Sequence, residues 1–132
     1  MNKPTLGALL AGCLLTLAAC QSPMLVFPGK ALRGEVAIAD DFAFADRHAL
    51  LTLEVRPERP YSVLLRTTVI DEALYIDAGA RRWRRFIEAN PNVRIKLGDQ
   101  IYPARCDPVS DPAITRRFLP GRTIYRVTPR RP

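Results

Sequence analysis

The chain predicts a mainly β fold: a small antiparallel barrel with two short helices, preceded by an export signal and a tether. Three observations predict it. From His48 onward, apolar residues alternate with polar ones or gather in β-branched blocks. Pro, Gly and Asp punctuate these segments at short intervals. The length, 132 residues, leaves room for one folded domain.

The elements follow in order. Residues 1–19 begin with Lys3 in a short polar start and continue as a charge-free apolar run from Leu6 to Ala19. The run is shorter than the ~20 residues a membrane-crossing helix needs. It also shows no polar positions at a 3.6 period, as a soluble amphipathic helix would. Charge, apolar run and small residues are the three parts of an export signal. Residues 20–37 hold prolines and glycines without a sustained period and read as a tether, in which Met24-Leu25-Val26-Phe27 could lie on a lipid surface. The domain is expected over 38–132.

Within it, HALLTLEVR places Leu51, Leu53 and Val55 on one face of a strand and Leu50, Thr52 and Glu54 on the other. Glu54 and Glu58 flank Arg56, a pattern of surface pairing. Pro57 and Pro60 bracket a turn before the strand YSVLLRTTVI, and a turn near Asp71-Glu72 leads to ALYID. NVRIKL and QIYPARCDPV flank Gly98-Asp99, where Gly in the first central position suits a type II′ hairpin. Asp111-Pro112 reads as an N-cap followed by Pro in the first turn of a helix that Pro120-Gly121 ends. RTIYRVT is the last strand.

The other helix lies in ARRWRRFIEANPNVRI. At 100° per residue, Ala80, Trp83, Phe86, Ile87 and Asn90 share one arc, and the arginines with Glu88 take the rest. Trp83 and Phe86 are therefore expected to plug the barrel core. Arg84 and Glu88 are placed to pair, and Pro91 ends the helix. Arg81 and Arg82 fall in the expected first turn, where the helix dipole disfavours cations unless an anion sits there. Gly79, Arg81 and Arg82 are thus the candidate anion or cofactor seat, for a phosphate or a lipid headgroup. The plain alternative is a solvated helix face.

Charge is unevenly spread. Residues 20–80 carry six basic and nine acidic side chains, and residues 81–132 carry thirteen and four. The second half therefore favours an anionic partner, and export excludes nucleic acid. Cys13 falls in the signal and Cys106 is the one cysteine of residues 38–132, so no disulfide is expected within the domain. One histidine, His48, supplies no His-based metal site, and Asp40-Asp41 with Asp46 reads as an acidic loop. No metal is expected, and no residue is marked as catalytic: GxGxxG, Walker, HExxH and GxSxG motifs are all absent.

Two resemblances sharpen this reading. Leu17-Ala18-Ala19-Cys20 resembles the lipobox of bacterial lipoproteins. The resemblance implies cleavage before Cys20 and attachment of diacylglycerol and palmitate-type chains there, an anchor in the cell envelope. Gln21 favours the outer membrane, with the domain in the periplasm. The competing reading is a soluble secreted protein cut after Ala19. Further on, several marks come in order: Ala78-Gly79, Trp83 and Phe86, Ala89-Asn90-Pro91, Leu97-Gly98, Tyr102 and Asp111-Pro112-Ala113. Together they resemble the split-barrel superfamily of pyridoxamine-phosphate oxidases and deazaflavin-dependent nitroreductases. That resemblance implies a six-stranded split barrel, often a homodimer, with flavin-type cofactors in its catalytic members. RPERPYSVLLR, however, lacks the glycines of the nitroreductase phosphate loop, so the fold can carry over without the cofactor. Three functions follow: a ligand-binding or non-catalytic envelope module, a flavin-type oxidoreductase, or a basic membrane-surface or lipopolysaccharide-facing protein.

Overall fold

The alternating faces of the second half fold as the period requires. The computed structural model describes residues 31–79 and 82–131. The signal, Cys20, most of the tether and Arg81 lie outside them. Strand β1 (Glu35–Val36) is followed by a 3-10 helix (Ala43–Arg47), β2 (Leu50–Val55), β3 (Tyr61–Arg66), β4 (Thr68–Ile70) and β5 (Ala73–Asp77). Then come α1 (Arg84–Ala89), β6 (Asn92–Leu97), β7 (Gln100–Pro108), α2 (Pro112–Thr115) and β8 (Ile124–Pro129).

YSVLLRTTVI, expected as one strand, divides at Thr67. There the Thr67 N–H donates to Ala49 O (3.1 Å) and its hydroxyl to His48 O, which takes it out of the ladder. The bend hands the strand from one wall to another. β3 pairs with β2, and β4 pairs with β5. Since the remaining path runs β3-β2-β6-β7-β8-β5-β4, this single bend closes the sheet into a barrel. All the pairings are antiparallel except β1 with β7. Gly98 has φ 59° and opens the β6–β7 hairpin as a II′ turn requires. Asp71 (φ 49°) and Glu72 (φ 65°) make the β4–β5 turn in the left-handed region that Gly or Asn more often fills.

Register decides which side chains face inward. Leu51, Leu53 and Val55 meet Leu65, Val63 and Tyr61 across β2–β3. With Leu74, Ile76, Val93, Ile95, Tyr125 and Val127 they form the barrel core. The 3-10 helix brings Phe42 edge-on to Tyr102, ring centres 5.9 Å apart. A smaller cluster outside the barrel, Ile70, Tyr75 and Ile124, packs against Ile114 and Phe118. Asp111 caps α2, accepting from Ala113 N (2.9 Å) with Pro at the start. The helix stops at Thr115, not at Pro120. Past it the chain tightens into i→i+3 turns, Arg117 N to Ile114 O and Phe118 N to Thr115 O, which bring Phe118 onto that cluster.

The segment before residue 38 is not simply spacer. Leu32 N–H donates to Glu54 Oε2 (2.6 Å), Lys96 Nζ donates to Arg33 O (2.7 Å), and Glu35–Val36 pairs with Gln100–Ile101. The chain thus joins the barrel from Leu32 onward, ahead of the expected domain start. This strap also corrects the reading of Glu54. Its carboxylate is 2 % exposed and takes Arg94 bidentately (2.7 and 2.9 Å), so it is a buried ion pair rather than a surface partner of Arg56.

Candidate functional site

The barrel turns its candidate site toward the junction of β5, α1 and the loop before β8. Asp77 ends β5, and Gly79 follows in the left-handed region at φ 52°. Glycine is favoured there by its backbone, the crowding nearby being only the movable end of a side chain. The conformation disfavours a side chain, and a Cβ would lie 2.8 Å from Arg122 Nη1. That close approach lets the Arg122 guanidinium reach Asp77 Oδ1 (3.4 Å). Arg84 lies on the other side of the same turn. Its Nη1 donates to Gly79 O (3.1 Å) and Thr123 Oγ1 (3.3 Å). Its Nε comes within 3.2 Å of Glu88 Oε1, close enough for an ion pair although not aligned as a hydrogen bond. Two guanidiniums therefore frame Gly79, each tied to an oxygen.

Beside them is a cleft of about 130 Å³ lined by Leu65, Arg66, Thr68, Asp77 and Phe118. It exists because the strand bends at Thr67 and because Phe118 folds over the barrel wall. Its chemistry is mixed: a half-buried carboxylate held by Arg122, a hydroxyl, an exposed guanidinium and two apolar walls. Pockets for drug-sized ligands run to roughly 300–1,000 Å³. This one has room for a phosphate-sized group.

Of the residues singled out in the sequence, Gly79 is buried and Arg82 exposed; Cys20 and Arg81 lie outside the described residues. Helix α1 begins only at Arg84, and its N-cap is Trp83, which offers no side-chain oxygen. No Ser, Thr, Asp or Asn stands between Gly79 and Trp83 to start it earlier. Arg82 therefore precedes the helix, and the dipole argument for an anion there no longer applies; Arg84 and Arg85 occupy the first turn instead. Trp83 is 4 % exposed within the core. Phe86 is half-buried at the rim, edge-on to Tyr61 (5.7 Å) and under the Arg56 guanidinium (4.1 Å). Arg56 itself adopts φ 58° ahead of Pro57, held there by its Nε donating to Arg59 O (2.7 Å). Spacing gave no signal for Arg122, whose partner Asp77 is distant in sequence, or for Arg66, which the strand bend brings to the cleft. Among the described residues, no group of His, Cys, Asp or Glu gathers as a metal site.

Cys106 lies in the core, and burial, with a smaller push from Asp107, raises its thiol to about 12. It has the environment of an inert thiol, not a nucleophile. In the folded protein it is expected to resist alkylation at pH 8 and to react fully once denaturant is added, as peptide mass would show. The sign of the pH effect follows. Above about pH 9 the unfolded chain releases this proton and the folded chain keeps it, so stability falls as pH rises from about 9 toward 12.

No protein-family model matches the chain, and no curated protein matches its sequence. Solved structures do match. A Listeria innocua protein named after pyridoxamine 5′-phosphate oxidase superposes with a TM-score of 0.58 at 15 % identity, covering 67 % of this chain and 90 % of its own. A Mesorhizobium loti protein described as FAD-binding superposes at 0.52 and 16 % identity, covering 66 % and 85 %. At such identities the likeness shows the fold, and the fold is the split barrel.

Proposed function

We propose that this chain is a lipid-anchored envelope protein whose split barrel binds a small anionic, phosphate-sized group. The observation that carries the binding half is the cleft between the Thr67 bend and Phe118. Arg66 lies in its wall, and Arg122 holds the Asp77 carboxylate at its edge. Arg82, three positions after Gly79 in the sequence, is exposed and adds positive charge to the surface. The surplus of basic residues in the second half supplies a wider attractive field. The anchoring half rests on Leu17-Ala18-Ala19-Cys20. A binding module suits a cleft whose one carboxylate, Asp77, is already engaged by Arg122.

Fold likeness favours one second reading. A neighbouring structure is described as FAD-binding, so a flavin-type oxidoreductase is the alternative. The cleft is too small for a flavin ring system, which would have to lie outside it or against a second copy of the chain.

The two halves are tested separately. Thermal melts with inorganic phosphate and with flavin mononucleotide should show a stabilising shift with phosphate. The shift should be weaker in Arg66→Gln/Arg82→Gln and should fade with added salt. No shift with either ligand would sink the binding reading, and a flavin absorbance band on the purified protein would favour the oxidoreductase. Cys20→Ser should abolish lipid incorporation and its coupled processing. Wild-type levels of labelled fatty acid in that variant would remove the anchor.

A further inference from the structure

Register places a defined set of side chains on the outside of the barrel beneath and beside the strap. Thr52 faces Lys96, and Glu54 faces Arg94, across β2–β6. Lys96 faces Ile101 across β6–β7, and Ile101 faces Val36 across β7–β1. Leu50, two residues before Thr52, shares this outer face. Ile101 is covered by the strap at Gly34. Val36 and Leu50 are not covered: they are 56 % and 44 % exposed. Arg33 is exposed in the strap, and its carbonyl oxygen accepts from Lys96 Nζ.

We infer that this outer face of β2, β6 and β1 is the one the barrel turns toward an anionic lipid surface. The inference rests on the anchor reading at Cys20. Eleven residues, 21–31, separate Cys20 from Leu32, where Glu54 fixes the chain to β2. Fully extended, they reach about 40 Å. The average span of any flexible chain of that length is about 20 Å, less than the roughly 30 Å across a compact domain of this size. The face from which the chain departs is therefore held nearest the anchor, and the opposite wall is held away. That opposite wall, β5 and β8, carries α2 and the loop with Leu119, 65 % exposed. Near the anchor, apolar Val36 and Leu50 can enter the headgroup boundary while Arg33 and Lys96 meet the phosphates. A second copy of the chain is the competing occupant.

The test uses the full-length chain reconstituted in vesicles of phosphatidylcholine and phosphatidylglycerol in equal parts, and in vesicles of phosphatidylcholine alone. Single fluorophores are placed through Val36→Cys, Leu50→Cys or Leu119→Cys, all exposed positions; buried Cys106 does not compete for label. Headgroup-quencher lipids should quench the labels at 36 and 50 several-fold more than the label at 119. The difference should be larger with phosphatidylglycerol and should shrink in salt. Equal quenching at all three positions, or more at 119, overturns the inference. So does self-quenching between labels at 50 that disappears on mixing with unlabelled protein while lipid quenching stays absent, since a second copy would then cover the face. The mass of the N-terminal peptide from the same sample reports lipidation independently. A lipidated chain with uniform quenching removes the face and keeps the anchor. A chain found without lipid is relabelled in a Cys13→Ser/Cys20→Ser background, where selective quenching at 36 and 50 removes the anchor and keeps the face.

Discussion

Arg94→Ala is expected to cost about 3 kcal/mol of folding stability, read as a lower urea midpoint at unchanged slope. The reason is what remains. Glu54 is almost wholly buried, and Arg94 gives its carboxylate two charged hydrogen bonds. The same contact raises Arg94 above its ordinary value, the hydrogen bond to Glu54 being the largest cause. Without Arg94, the carboxylate keeps, among the described residues, the Leu32 N–H and its setting opposite Ser62. The figure is at the low end for a broken buried pair because Arg94 is about a third exposed and partly screened. A paired change, Glu54→Met/Arg94→Leu, removes both charges together and should lose much less. A double variant as unstable as the single one would show that packing, not unpaired charge, sets the loss.

Trp83→Ala is expected to lose ~3–5 kcal/mol by opening a cavity where the indole meets the barrel core. Against a total of roughly 5–15 kcal/mol for a domain, this brings the protein close to unfolding at growth temperature. Phe86→Ala should cost clearly less, because its ring is half-exposed and packs on Tyr61 and Arg56 at the rim. Thermal melts of the two variants give the comparison. Equal losses would mean that both rings serve the core alike.

Much of the barrel was legible because strand period and turn chemistry are local. Leu51, Leu53 and Val55 declared an inward face, Gly98 a II′ turn, and Asp111-Pro112 a helix start. What escaped was set by distant partners. Glu54 stands on the face that normally meets water; it is buried only because a strap from residue 32 crosses it and Arg94, forty positions on, neutralises it. The early end of β3 comes from Thr67 bonding to residues 48 and 49, which no periodicity records. Helix α1 is shorter than its apolar arc because no residue caps it before Trp83. The candidate site shows the same divide. Gly79 could be singled out from its place after a strand, but Arg122 meets Asp77, and Arg66 enters the cleft wall, only through folding.

Strand β7 is longer than any strand beside it. On one flank it is covered by β6; on the other, β8 pairs from Pro108 back to Ala104, and Arg130 N–H reaches Pro103 O. Beyond that point its first residues would present bare amides and carbonyls to solvent, the kind of edge that recruits strands from other chains. Glu35–Val36 and the Ala37 N–H occupy that stretch in parallel pairing. The charged Glu35 and the left-out direction of a parallel two-residue strand make a poor template for further growth. The few residues that fasten the domain to whatever precedes it thus also act as a guard against aggregation, so that loss of the strap by proteolysis would leave the barrel with a sticky margin.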